Sequence, residues 1–130
     1  MGYYSSVAIE ITKDEEAKFL EIIEDHKSPD DYQVPNHAKT ALEWADRMEM
    51  KDWLWDKGFR SRNQIDAVIY YWDEVKWYYD GPEFIEKAMK QLDNYHFCRV
   101  GEEIGDCEEQ YDGYLDGTLI NVHSYINIGG

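Results

Sequence analysis

Tyr95-His-Phe-Cys-Arg-Val-Gly-Glu-Glu-Ile-Gly-Asp-Cys-Glu-Glu-Gln-Tyr-Asp-Gly-Tyr-Leu-Asp116 is the stretch around which the chain is arranged. It opens as a strand, Tyr95 to Val100, and passes into a run of carboxylates: Glu102, Glu103, Asp106, Glu108, Glu109, Asp112 and Asp116. No Lys or Arg lies between the first and last of these. Such a run repels itself, so it must stay solvated, hold cations or meet a basic partner. Reading it as a loop makes Thr118 to Ile128, with Ile120, Val122, Ile126 and Ile128 on one face, a further strand that returns beside Tyr95–Val100 as a hairpin.

Upstream, residues 3 to 12 alternate. Tyr3, Ser5, Val7, Ile9 and Ile11 take one face, and Tyr4, Ser6, Ala8, Glu10 and Thr12 the other, the signature of a half-buried strand. Thr12 with Glu15 forms a capping box that predicts a helix from Lys13, with Phe19, Leu20, Ile22 and Ile23 as its apolar stripe and an end before Ser28-Pro29. A second helical pattern begins near Asn36 with Ala38, Ala41, Leu42, Ala45 and Met48, and leaves open whether 36 to 57 is one helix or two. Ala67 to Trp72 is β-branched and aromatic, hence a strand. Asp73-Glu74 interrupts it and Val75 to Tyr78 continues it. Pro82 suits the first turn of a third helix, whose buried face is Phe84, Ile85, Ala88, Met89 and Leu92. The expected fold is α+β: a mainly antiparallel four-stranded sheet with about three helices on one face, in a single domain spanning residues 1–130, with a split βαβ connection as one arrangement.

The 130 residues carry a formal net charge of −15, yet 43% are hydrophobic and 15% aromatic, so the acid sits on a folded surface and not on a disordered chain. A protein this negative is not drawn to nucleic acid or anionic lipid; it is drawn to basic protein surfaces. No stretch is apolar enough to span a bilayer, the N-terminus lacks the features of a signal peptide, and Cys98 and Cys107 form no disulfide framework. The expectation is a reducing cytoplasm, with no membrane contact. Gly2 and Ser6 match a myristoylation pattern formally, but the strand that follows must pair.

Catalytic signatures are missing. There is no nucleophile elbow, phosphate-binding loop or dinucleotide fingerprint. His96, Cys98, Cys107 and His123 have zinc-ligand chemistry without any compact zinc spacing, although His96 and Cys98 share a strand face. The acidic run does not follow the calcium-loop order. No enzyme activity, metal or other cofactor is therefore expected. What remains is the charge: carboxylates along a folded surface can imitate the phosphates of nucleic acid and occupy a Lys/Arg groove, with Tyr111 and Tyr114 as aromatic anchors.

The pattern Tyr-x-Phe-x-Arg-x-Gly-Glu-x-x-x-Asp-x-Glu-Glu at 95–109 follows Trp-x-x-Val-Lys-Trp-Tyr at 72–78 and the helix at 84–92. Together with the strand at 3–11 it resembles small acidic proteins of bacteriophages and prophages. The resemblance implies a phage origin and antagonism of host defence, of the anti-CRISPR or DNA-mimic kind. The expected partner is a basic nucleic-acid-binding protein such as a bacterial defence nuclease or CRISPR effector. The expected contact residues are Glu102, Glu103, Asp106, Glu108, Glu109, Tyr111, Asp112, Tyr114 and Asp116, with Asp30, Asp31, Asp73 and Glu74 as a second patch. An immunity or antitoxin-like protein that plugs one toxin is the alternative, and homodimerisation through an unpaired edge at Ile69 to Tyr78 is a further expectation.

Overall fold

A computed structural model describes residues 3–27, 36–55, 62–113, 115, 120–122 and 125–128. The first strand, β1 (Ser5–Thr12), is the centre of the sheet, because both of its faces are buried: Val7, Ile9 and Ile11 on one, Ala8, Glu10 and Thr12 on the other. It pairs antiparallel with β3 (Arg62–Val75) and with β4 (Tyr95–Gly101). β2 (Asp46–Trp55) adds outside β3 and β5 (Cys107–Asp112) outside β4, giving the order β2-β3-β1-β4-β5. Helices α1 (Lys13–Glu24) and α2 (His37–Glu43) lie between β1 and β2 in the chain, and α3 (Asp80–Met89) lies between β3 and β4. Each connection steps over one intervening strand, so the first four strands form two interlocked split βαβ units.

All three helices bury their apolar stripes on one face of the sheet. Phe19 and Ile23 of α1, Ala38, Ala41 and Leu42 of α2, and Ile85, Ala88 and Met89 of α3 meet Val7, Ile9, Ile11, Val68, Tyr70, Trp72 and Phe97. At Gly81 the backbone of α3 comes so close to α2 that a β-carbon would sit 2.6 Å from the His37 carbonyl oxygen. A small second cluster lies on the opposite face: Ala8, Ile69 and Cys98, with Ile126 and Ile128 packed against it. The latter two belong to β7 (Ile126–Ile128), which pairs with β6 (Ile120–Val122) as a separate two-stranded sheet.

The α+β class and the antiparallel sheet with three helices among the described residues are as expected, but the sheet has five strands where four were expected. The extra strand is the second half of the acidic run, Cys107–Asp112, which pairs with β4 from Val100↔Cys107 to Tyr95↔Asp112. Among the described residues of the 118–128 segment, β6 and β7 pair with each other and not with β4, and β7 packs on the far face. The helical pattern at 36–57 also ends early. α2 stops at Glu43, and Met48 faces the second cluster from within β2. Nor is Ile69–Tyr78 an open edge: over Ala67 to Tyr71, β3 is paired on both sides, and the strand ends at Val75. The two-residue interruption at Asp73-Glu74 is a bulge. Ser5 faces Val75 while Val7 faces Trp72, so β3 carries one extra residue there.

α1 starts at Lys13 as expected, but the capping box is not formed: the Thr12 side chain caps no helix N–H, and its hydroxyl instead donates to Glu15 Oε1 at 3.3 Å. The Glu15 carboxylate does more elsewhere. It accepts from Asp93 N (2.8 Å), Asn94 N (3.0 Å) and Asn94 Nδ2 (3.2 Å), fixing the turn that leads into β4. Glu15→Ala is expected to cost about 1–3 kcal/mol by leaving these donors unmatched. Glu21→Ala, on the exposed side of the same helix, should cost less than about 0.5 kcal/mol. Urea unfolding of the two variants checks the contrast.

Candidate functional site

Strand geometry divides the acidic run. Successive side chains of β5 point to opposite faces, so Glu108 and Glu109 cannot share a surface. Glu108 meets Arg99 on the helix face, with Arg99 Nε donating at 3.1 Å. Asp106 is also taken by Arg99, at 2.7 and 3.2 Å, and accepts a hydrogen bond from the Tyr3 hydroxyl as well. The Arg99 guanidinium first, then the Tyr3 hydrogen bond, hold the Asp106 carboxyl at about 2. Glu109 points the other way and sits 2.6 Å from His96 Nε2. Asp112 accepts from Gly113 N in its own turn. Much of the expected charge patch is therefore spent on internal structure.

Glu102 and Glu103 remain exposed at the hairpin tip, beside a fully exposed Ile104 and a Gly105 whose φ of +83° suits glycine. Antiparallel pairing brings this tip to the start of β1, where Glu102 Oε1 accepts from Tyr4 N at 3.1 Å. The bulge in β3 lies at the same end. It keeps Trp72 and Val75 in the core while turning Asp73 and Glu74 both outward. Asp73, Glu74, Glu102, Tyr4 and Tyr125 thus line one groove of about 180 Å³. Members of both expected patches, far apart in sequence, converge here. Tyr111 is exposed on β5, near His96 and away from this groove. Asp30, Asp31, Tyr114, Asp116 and His123 lie outside the described residues.

On the sheet face opposite the helices, β1 and β4 bring together residues that sequence reasoning only half connected. Glu10 and His96 are register partners, and both are fully buried. Cys98 follows His96 on the same face, also fully buried, with its sulfur 3.5 Å from His96 Nε2. Glu109, the register partner of Cys98 on β5, closes the group. Glu10 Oε1 is 3.9 Å from the other ring nitrogen, His96 Nδ1. Burial opposes a charge on His96, but the contacts to Cys98, Glu10 and Glu109 outweigh it and raise the imidazole to about 10. Burial keeps the Cys98 thiol protonated, against the pull of His96. A thiol, imidazole and carboxylate in line suggest a nucleophilic triad, yet a sulfur with no exposed surface cannot meet a substrate carbonyl. Glu10, the one charged residue of β1, was the available sequence signal.

A third feature was not anticipated. A groove of about 600 Å³ between α1, α2 and the sheet has Glu16, Arg47 and Tyr70 among its lining residues. Arg47 forks onto Glu16 with two 2.8 Å bonds, and the Tyr70 hydroxyl donates to the same carboxylate. Arg47 foremost, with help from Tyr70, depresses the Glu16 pKa despite burial. Both carboxylate oxygens are engaged, so this is a clamp between α1, β2 and β3.

No helix among the described residues is long and apolar enough to cross a membrane. Compared with protein-family models, curated proteins and solved structures, the chain matches none.

Proposed function

We propose that the protein acts by binding and not by catalysis, as an acidic antagonist that occupies the nucleic-acid groove of a basic protein. The observation that carries this reading is the convergence of Asp73, Glu74 and Glu102 on one groove edged by exposed Tyr4 and Tyr125. Carboxylates there supply long-range attraction for Lys and Arg, and the aromatic rings supply contact area. Ile104 at the hairpin tip extends the same surface with an apolar anchor. The net charge of −15 steers encounter with a positive partner. The phage resemblance directs the choice of partner to a bacterial defence nuclease or CRISPR effector.

The interface is narrower than the acidic run as a whole, because Asp106, Glu108 and Glu109 are committed to Arg99 and His96. Asp73→Lys, Glu74→Lys and Glu102→Lys combined are expected to weaken binding at least about tenfold. Glu21→Lys with Glu24→Lys, on α1, changes the net charge in the same sense and should have a smaller effect. The test is a pull-down from bacterial lysate at low salt, eluted with salt and with competing DNA. A nucleic-acid-binding protein released by both supports the reading. A partner that resists both moves the protein to the immunity class, and equal effects of the two variant sets remove the localised groove.

A further inference from the structure

We propose that His96 Nε2, Cys98 Sγ and the Glu109 carboxylate together form a binding site for one divalent transition-metal ion of the zinc class. The three ligand atoms lie within 4.8 Å of one another. They come from adjacent positions on one sheet face: two residues apart on β4, and one directly across on β5. In a tetrahedral zinc site with bonds of about 2.3 Å to sulfur and about 2.05 Å to nitrogen, the sulfur and nitrogen stand about 3.6 Å apart. Cys98 Sγ and His96 Nε2 are 3.5 Å apart, so two of the ligands are already placed. The nitrogen–oxygen separation must open from 2.6 Å to about 3.3 Å. That movement falls on Glu109, whose side chain is 42% exposed and is the way in from solvent.

A second, independent feature favours a metal. Ligating histidines characteristically present their other ring nitrogen to a carboxylate, which sets the tautomer and the ring orientation. His96 Nδ1 is fully buried and faces Glu10, a buried carboxylate on the neighbouring strand. Glu10 Oε1, 3.9 Å from that nitrogen, stands where such a partner carboxylate belongs. Thiolate and imidazole select zinc-class ions over magnesium or calcium. On binding, the proton on His96 Nε2 and the thiol proton of Cys98 leave to solvent, and the ion takes their place. The fourth position would be filled by water or by the second Glu109 oxygen.

The inference stands apart from partner binding, and its test needs no partner. The full chain carrying Cys107→Ser, an exposed position, retains Cys98 as its single thiol. After chelator treatment it is titrated with cobalt(II). The expected result is one equivalent bound, with a thiolate-to-cobalt charge-transfer band and the intense visible bands of four-coordinate cobalt, all abolished by one equivalent of zinc(II). Glu109→Gln in the same background should weaken cobalt binding at least about tenfold and keep the thiolate band. Glu10→Gln should weaken it about ten- to hundredfold without loss of that band. Absence of the thiolate band, a weak octahedral spectrum, or unchanged affinity in Glu109→Gln would each overturn the site.

Discussion

Phe97→Ala is expected to destabilise the protein by about 3–5 kcal/mol and to lower Tm by on the order of 10–20 °C. Phe97 is fully buried at the middle of β4. Its register partner on β1 is Ile9, and its ring lies 6.1 Å from that of Trp77. Every helix contributes to the same cluster. Truncation therefore removes apolar contact and leaves a cavity that three helices and the central strand are too constrained to collapse. Tyr111→Ala, on the edge strand and half exposed, should cost less than about 1 kcal/mol. Urea unfolding at constant m-value measures both. A loss below about 1 kcal/mol for Phe97→Ala would mean that β4 does not lie against β1 in this register.

The second large effect is expected at the Glu16 clamp. Glu16→Ala deprives Arg47 of its forked partner and Tyr70 of an acceptor, at a cost of about 2–3 kcal/mol, kept low because the Arg47 side chain is 41% exposed. The pH dependence has a definite sign. The folded-state pKa of Glu16 lies below its ordinary value of 4.5, with Arg47 as the main cause of the depression, opposed by burial. Its contribution is complete above the ordinary value and is lost as pH falls through the lowered one. Glu16→Gln keeps the shape without the ionised form, so it should be less stable than the parent at pH 7 and flatten the acid limb of the stability curve. Melting temperatures from pH 7 to pH 2 decide this. An acid limb of equal steepness in parent and variant would show that Glu16 is not held ionised by the clamp.

How far the fold could be read depended on burial. β1 was legible because its alternation is unbroken from Ser5 to Thr12, and α3 because Phe84, Ile85, Ala88, Met89 and Leu92 keep one helical face. β5 reads as a loop in the sequence because an edge strand buries little: Cys107, Glu109, Tyr111 and Asp112 are all exposed, so no apolar alternation marks it. β2 looked helical because the spacing from Ala38 to Met48 continues past the end of α2, and pairing along β3 overrode it. The candidate sites were legible by residue type more than by position. Glu102 and Asp73 were both expected at a surface, but their meeting depends on pairing between distant strands. The same holds for Glu10 and His96, whose encounter depends on the β1–β4 register. Local periodicity carries no information about either.

The central position of β1 also governs how the chain must be made. Val7 pairs with Trp72 on one side and Arg99 on the other, so the second partner is roughly ninety residues away along the chain. At about 5–20 residues per second, the ribosome needs on the order of 5–20 s to deliver it. For the first two-thirds or so of that interval, until Trp72 is made, β1 has neither neighbour, and until Arg99 is made it has only one, so its open side remains a template for misassociation. Contacts this distant slow the final closure as well. A nascent chain of this topology has reason to occupy a holdase until β4 appears, and truncation before Tyr95 should leave a product that aggregates in place of a smaller folded domain.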